Sequence, residues 1–197
     1  MMKVLAPVFV GFLLTTVFGG TLGYIFQRRG WTHQHTTQLR QQERERAVAI
    51  FEEVSRLMDR RLYRLKLLYW SLPAGRADGA RSPLAEPRME GYRQALYEWN
   101  DSINRNLALI QQYFGEAMRE RLDNVIGSAF VSLGRSVEHL WTSDSDTPVA
   151  VEPREFERRL TELNSLVYGF NLLMIRAIQA GAVGWLVTEH RRHSAPE

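Results

Sequence analysis

The sequence of 197 residues contains no cysteine, so disulfide bonds and thiolate metal ligands are excluded. This absence fits a reducing compartment, although many exported proteins also lack cysteine. A recognisable catalytic or cofactor-binding motif is missing as well, and we therefore predict a non-enzymatic protein with no catalytic residues, no cofactor and no metal. The formal net charge is a modest +3. Its distribution along the chain is more informative than its sum.

Charge is absent from residues 4–26, a run of 23 residues. As a helix with a rise of 1.5 Å per residue, this run reaches about 34 Å, enough for a hydrocarbon core of roughly 30 Å. A cleaved signal peptide has an apolar region of roughly 7 to 15 residues and ends in a small-x-small cleavage site. This run is longer and continues through aromatic and branched residues into two arginines. We therefore predict an uncleaved transmembrane anchor over residues 1–27.

Basic residues flank this run unequally, because only Lys3 precedes it whereas Arg28, Arg29 and further arginines follow it. Positive charge stays on the cytoplasmic side of a membrane. We predict a single-pass protein of the inner (cytoplasmic) membrane, with its amino terminus outside and its helical domain in the cytoplasm. Arg28, Arg29 and Trp31 are residue types of a lipid interface, where cations attract anionic headgroups. Membrane lipids are therefore a predicted partner.

Four glycines lie within the run, and two of them, Gly19 and Gly23, are four residues apart on one helix face. Small residues at this spacing let a second membrane helix approach closely, although glycine is common in membrane helices in general. We predict that Gly19, Gly20 and Gly23 pack against another helix. The partner would be either a second copy of the chain in a homo-oligomer or another membrane subunit.

Beyond the anchor, apolar residues recur at spacings of three and four, which predicts amphipathic helices. Residues 28–72 are predicted to form a basic juxtamembrane segment and first bundle helix, which ends before Pro73. Residues 73–87 contain three prolines and two glycines without apolar periodicity, which is typical of a loop. Residues 88–190 are predicted to form the rest of a helical bundle, and residues 191–197 a tail.

The remaining bundle helices are predicted at about 88–114, 116–141 and 154–189. The predicted fold is all-α, with an N-terminal transmembrane helix followed by an antiparallel helical bundle of about four helices. Residues 163–187 are also apolar enough on several sides to be considered as a second span. They contain Arg176, however, and an arginine near a helix centre costs about 3 kcal/mol on insertion scales. We predict that this helix lies in the bundle instead.

A polar cluster interrupts the second bundle helix at Trp99, Asn100, Asn104 and Asn106. Asparagine is a poor helix former, so several of them in two turns indicate a role. They could form a hydrogen-bond network that fixes the helix register, or they could line a binding site. We predict the network.

Nucleic acid is not a predicted partner. Residues 27–72 carry ten basic and five acidic side chains. The acidic side chains lie among the arginines and would repel phosphates. The basic excess is better explained by a nearby membrane surface.

Two resemblances to known proteins can be stated. The stretch Gln27-Arg28-Arg29-Gly30-Trp31-Thr32-His33-Gln34, followed by helices, resembles bacterial single-pass membrane proteins of unassigned function and implies no activity. The layout is also similar to that of membrane-anchored, HEPN-like accessory proteins of some bacterial CRISPR systems. HEPN ribonucleases carry an arginine and a histidine on a bundle helix, with four to six residues between the two. Here Arg135 and His139 have only three residues between them and stand alone, so no catalytic role is transferred.

The sequence thus predicts a non-enzymatic, membrane-anchored helical scaffold or accessory subunit of a membrane protein assembly. Two alternatives stay open. One is a self-oligomerising membrane effector or pore, and the other is a membrane-anchored HEPN-like nuclease accessory.

Overall fold

The computed structural model describes residues 37–75, 79–142 and 153–184. These residues are all-α, with four helices and no strand. The chain divides into two compact units, Met1–Gln42 and Glu43–Glu197. Of the first unit only residues 37–42 are described, and they are helical.

The first helix, α1, covers residues 37–69, of which 43–69 belong to the second unit. Its apolar residues recur at steps of three and four, so one face of α1 packs into the core. The sequence placed the end of this helix at residue 72. The structure ends it at residue 69, and the N–H groups of Ser71 and Leu72 donate to carbonyls only three residues back. Pro73 disfavours the α conformation of Leu72 before it, and a 3-10 turn follows at Pro73–Gly75.

The second helix, α2, spans Ala85–Phe114 and begins inside the stretch that the sequence predicted as a loop. Pro87 is compatible with this earlier start. The N–H groups in the first turn of a helix have no intrahelical partner, so a proline there costs no helical hydrogen bond. The prediction of a loop over 73–87 therefore fails at its last three residues, which are helical.

Gly115 joins α2 to the third helix. Its φ of 94° and ψ of 169° lie in a region that is essentially open only to glycine. Its N–H lies 3.1 Å from the carbonyl oxygens of both Ile110 and Gln111, which closes the end of α2. The chain therefore reverses at a single residue, and α3 begins immediately at Glu116.

The third helix, α3, consists of α-helical Glu116–Glu120, a π-helical segment Arg121–Gly127, and α-helical Ser128–Thr142. Its apolar residues Leu122, Ile126 and Phe130 follow each other at steps of four. On a regular α-helix each such step drifts by about 40° around the axis. The wider π turn, with hydrogen bonds from i to i+5, takes up this drift. All three side chains are consequently fully buried.

The fourth helix, α4, spans Pro153–Gln179, whereas the sequence predicted a helix over 154–189. The prediction is wrong for the described residues beyond Gln179. Gly181 has a φ of 63°, the N–H of Gly181 donates to Ile178, and the N–H of Ala182 donates to Ala177. This is a Schellman motif, which terminates a helix at a glycine in the left-handed conformation.

Contacts between side chains establish that neighbouring helices run antiparallel. Arg60 Nη1 lies 2.7 Å from Glu98 Oε2, and Arg88 Nη1 donates to the Leu67 carbonyl at 3.2 Å. Residue numbers rise along α1 as they fall along α2, so these two helices are antiparallel.

The same holds for α1 and α4. Lys66 Nζ donates to Asn164 Oδ1 at 3.0 Å, and the rings of Tyr69 and Phe156 stack with centroids 4.2 Å apart. All four helices contribute to one apolar core. Its largest fully buried aromatic side chains are Tyr69, Tyr92, Phe130, Phe156 and Phe170.

The predicted anchor at 1–27 lies outside the described residues, and so does the tail at 191–197. The predicted membrane-packing residues Gly19, Gly20 and Gly23 and the predicted lipid-interface residues Arg28, Arg29 and Trp31 also lie outside them. Among the helices that the structure describes, none combines the length and the apolar character needed to cross a bilayer.

Candidate functional site

Arg61 is the most unusual side chain in the core. It lies on the face of α1 that packs inward, and only 5% of it is exposed, although its helical neighbours Met58 and Leu65 are fully buried apolar residues. An arginine is almost never buried to this extent unless a partner compensates its charge. The groups around Arg61 therefore show how far its charge is compensated.

Two aromatic rings hold the Arg61 guanidinium from the neighbouring helices. Its Cζ lies 5.3 Å from the ring centroid of Trp99 on α2 and 4.6 Å from that of Phe130 on α3. The two ring centroids are themselves 5.9 Å apart. Cation–π contacts of this kind are worth up to about 2 kcal/mol when they are desolvated. They offset part of the cost of burying the charge and join three helices at one point.

The Tyr92 hydroxyl is a polar neighbour of the Arg61 guanidinium. Burial lowers the pKa of Arg61, and the neighbouring Tyr92 opposes that change. Burial likewise raises the pKa of Tyr92, and the charge of Arg61 opposes it. The Tyr92 hydroxyl also fills the space beside Gly134, where an added Cβ would lie 2.6 Å from the hydroxyl oxygen.

These partners do not satisfy Arg61 completely. Its Nε is buried without a hydrogen-bond partner. Within the described part of the chain, no carboxylate forms an ion pair with this guanidinium. The site therefore contains a buried positive charge that aromatic rings and one phenol surround but no anion neutralises.

Arg61 opens onto a cleft of about 710 Å³ between α2 and α3. From α2 the cleft is lined by Trp99, Asn100 and Ile103. The π-helical segment of α3 adds Leu122, Asp123 and Gly127, and the following α-helical part adds Ser128, Val131, Ser132, Arg135 and Ser136.

Three serines form a ladder along the α3 wall of the cleft. Ser128, Ser132 and Ser136 are spaced by four residues, so they share one face of the helix. Ser136 donates to the Ser132 carbonyl at 3.1 Å, and the Arg159 guanidinium from α4 donates to the Ser132 hydroxyl. Together with exposed Arg135, this wall offers hydroxyl groups and positive charge to the cleft.

Asp123 is the acidic side chain at this cleft. Its Oδ2 lies 3.4 Å from Arg119 Nη1, and Arg119 also pairs with Glu116 at 2.6 Å. An arginine outside the cleft thus compensates part of the Asp123 charge. The cleft keeps a positive balance from Arg61 and Arg135.

The structure separates the predicted polar cluster. Trp99 and Asn100 line the cleft, exposed Asn104 is outside its lining, and Asn106 is buried in the core with 4% exposure. The four residues therefore do not meet around one point. Two of them line the cleft, which is what the alternative to the predicted register-fixing network, a binding site, would require.

Arg135 and His139, the pair compared with HEPN ribonucleases, do not both lie at the cleft. Arg135 lines the cleft, whereas His139, one turn further along α3, is exposed outside the lining. Arg61 was not predicted as a functional residue at all. A signal for it existed, because Arg61 continues the core series of Val54, Met58 and Leu65 at helical spacing.

In the described ranges no group of three or more histidine or acidic side chains is placed to hold a metal ion. Comparison of the chain with protein-family models, with curated proteins and with solved structures found no match.

Proposed function

We propose that this chain is a non-enzymatic, membrane-anchored accessory subunit whose helical bundle binds an anionic ligand in the cleft. The observation that carries the proposal is Arg61, a buried cation that faces a cleft without an anionic partner of its own. Leaving such a charge uncompensated costs stability. A bound anion would supply the missing charge, and Arg135 at the same cleft adds to the attraction.

The lining favours recognition over catalysis. It provides two cations, hydroxyl and amide groups, and an apolar part formed by Trp99, Ile103 and Val131. General acid–base and nucleophilic mechanisms need a nucleophile or base that a neighbouring group orients and activates. Asp123, the lining carboxylate, is paired with Arg119 instead.

Anchorage is supported by the sequence. Residues 4–26 carry no charge, and Arg28, Arg29 and Trp31 follow them as the residue types of a lipid interface. The proposed subunit is a single-pass protein of the inner membrane with a cytoplasmic bundle. Lipids, other membrane subunits or further copies of the chain are its partners, and Gly19, Gly20 and Gly23 are the proposed contact between membrane helices.

The orientation can be tested with one introduced thiol, because the sequence has no cysteine. Asp101 is exposed on α2, so Asp101→Cys places a single reactive group on the bundle. A membrane-impermeant maleimide should label this variant only after the cells are permeabilised. Labelling of intact spheroplasts would put the bundle on the opposite side and contradict the proposed orientation.

The role of the cleft can be tested on the full chain extracted from its membrane in mild detergent. Native mass spectrometry would report subunit composition and retained ligands together. Val131→Trp fills the cleft, and Tyr168→Trp changes an exposed position on α4 outside the lining. We expect Val131→Trp to lose a retained species that both the unaltered chain and Tyr168→Trp keep.

Two outcomes of this experiment would contradict the proposal. Identical masses for the three proteins would show that the cleft does not hold the retained species. A particle built only of copies of this chain, with no retained ligand, would favour a self-oligomerising effector or pore over an accessory subunit.

A further inference from the structure

We propose that the cleft binds a phosphate group of a small organic phosphate, with Arg61 and Arg135 as the cations that hold it. This inference rests on the proposed function, because it specifies the chemical class of the anion that the cleft receives. The phosphate could belong to a soluble metabolite or to a lipid headgroup that ends in a phosphate monoester, and these two sources share the same recognition chemistry.

The arrangement around Arg61 leaves one kind of contact open. Trp99 and Phe130 contact the guanidinium, and the Tyr92 hydroxyl is its polar neighbour. Nε is buried without a partner, so a ligand in the cleft is reached by the terminal nitrogens. Guanidinium groups bind oxyanions through two parallel N–H bonds, and this fork matches both carboxylate and phosphate. Arg61 therefore presents guanidinium N–H groups without an anionic partner to the cleft.

The other donors distinguish between these two anions. Arg135, Ser128 and Ser132 lie on α3, and Asn100 lies on α2, whereas Arg61 comes from α1. A carboxylate has two acceptor oxygens in one plane. A phosphate monoester has three strong acceptor oxygens arranged around a tetrahedral centre. Donors that approach from three helices suit the phosphate better.

The dimensions of the cleft argue that the phosphate carries an organic group. A volume of about 710 Å³ lies within the range of sites for small molecules, about 300–1,000 Å³, and exceeds what one inorganic ion needs. Ile103, Leu122 and Val131 line the same cleft and offer apolar contact. Asp123 would repel a second anionic group placed near it, which favours a ligand with one phosphate.

Calorimetric titration of the full chain in uncharged detergent tests this inference with three probes: inorganic phosphate, glycerol 3-phosphate and the dicarboxylate glutarate. We expect glycerol 3-phosphate to bind and glutarate to bind at least about tenfold more weakly. Binding of inorganic phosphate with equal affinity would overturn the requirement for an organic group, because the rest of the cleft would then add nothing to the affinity. Preference for glycerol 3-phosphate would support an organic or headgroup phosphate.

Variants assign the binding to the cleft. Arg61→Met and Arg135→Gln should each weaken glycerol 3-phosphate binding about ten- to a hundredfold, since each removes charge-assisted hydrogen bonds. Arg93→Gln, at an exposed position of α2 outside the lining, makes the same change of charge as Arg135→Gln and should leave the affinity unchanged. Arg135 is exposed, so its variant remains informative if Arg61→Met fails to fold.

The contrary results separate the two proposals. If glutarate binds as tightly as glycerol 3-phosphate and Arg135→Gln weakens both, the phosphate inference is overturned while the anion-binding cleft stands. If none of the three probes binds, both are overturned. If Arg93→Gln weakens binding as much as Arg135→Gln, the attraction is a general effect of surface charge and the cleft is not the site.

Discussion

Gly134 on α3 lies directly beside the Tyr92 hydroxyl of α2. An added Cβ would be 2.6 Å from the Tyr92 hydroxyl, and the ring is almost fully buried and cannot move aside freely. We expect Gly134→Ala to lower the free energy of unfolding by about 1–3 kcal/mol, the usual cost of overpacking a core. Urea unfolding of the full chain in mild detergent, followed by circular dichroism, measures this change.

A matched control and a double variant make this result specific. Gly169 is helical on α4 and has open space where a Cβ would be added, so Gly169→Ala should stabilise the protein by up to about 1 kcal/mol. In the background of Tyr92→Phe the clashing oxygen is absent, and Gly134→Ala should then cost much less. Equal costs in both backgrounds would refute this explanation of the glycine.

Arg61 illustrates what residue-level sequence analysis can and cannot provide. It stands in the helical series Val54, Met58, Arg61, Leu65 and Leu68, so a core position was predictable from spacing alone. A charged residue on an amphipathic helix is nevertheless usually solvated. Recognition of Arg61 as a site required its aromatic neighbours, which come from two other helices and which periodicity along one helix does not identify.

Gly115 determines how α2 and α3 are connected. Its backbone conformation is accessible essentially only to glycine, although a Cβ there would meet no neighbouring atom. Gly115→Ala should therefore destabilise the bundle by about 1–3 kcal/mol through backbone strain alone. Thermal unfolding of the full chain in detergent would measure the effect.

Gly91 provides the comparison for Gly115→Ala. It lies within α2, and the nearest atom to an added Cβ is the flexible end of the Arg64 side chain at 3.2 Å. Gly91→Ala should be neutral or slightly stabilising, because alanine favours a helix. A loss of stability at Gly91 as large as that at Gly115 would argue against a special conformation at the helix connection.

The π-helical segment is the element that the sequence did not predict. A helix in this region was evident from apolar spacing, but successive steps of four at Leu122, Ile126 and Phe130 fit a regular helix and a widened turn almost equally well. The segment matters because Leu122, Asp123 and Gly127 all line the cleft. Widened turns of this kind are frequent at functional sites.

For the whole molecule, the buried tyrosines predict a loss of stability in alkaline solution. Burial raises the pKa of Tyr92 and of Tyr69, and Glu157 adds to the effect on Tyr69, whereas Arg61 opposes it on Tyr92. An unfolded tyrosine titrates near pH 10. Above that pH the unfolded chain has lost protons that the folded chain keeps, so the free energy of unfolding falls as pH rises.

We expect this free energy to be nearly constant from about pH 8 to 9.5 and to fall above about pH 10, by at most about 1.4 kcal/mol per pH unit for each tyrosine. Urea unfolding at a series of pH values tests the expectation. Tyr92→Phe should reduce the slope above pH 10. An unchanged slope in this variant would mean that Tyr92 does not contribute.

In the part of the chain that the structure describes, the sequence predicted all four helices but not all of their ends. Apolar spacing identified the helical regions and an all-α fold, because each helix buries one face. The end of α4 at Gln179 was missed, since Gly181 continues an apolar pattern while its backbone conformation terminates the helix. The cleft was not predicted, because its walls belong to helices that meet only after folding. The sequence analysis named Trp99 and Asn100 as members of a polar network.

The order of the helices also has a consequence for synthesis of the chain. Tyr69 and Lys66 of α1 contact α4, which is the last of the described helices to leave the ribosome. Bacterial and eukaryotic ribosomes add about 5–20 residues per second. Between the completion of α3 and that of α4, the apolar face of α1 that receives Phe156 therefore stays uncovered for roughly 2 to 7 seconds. A nascent chain at this stage would present that face to chaperones or to other newly made chains.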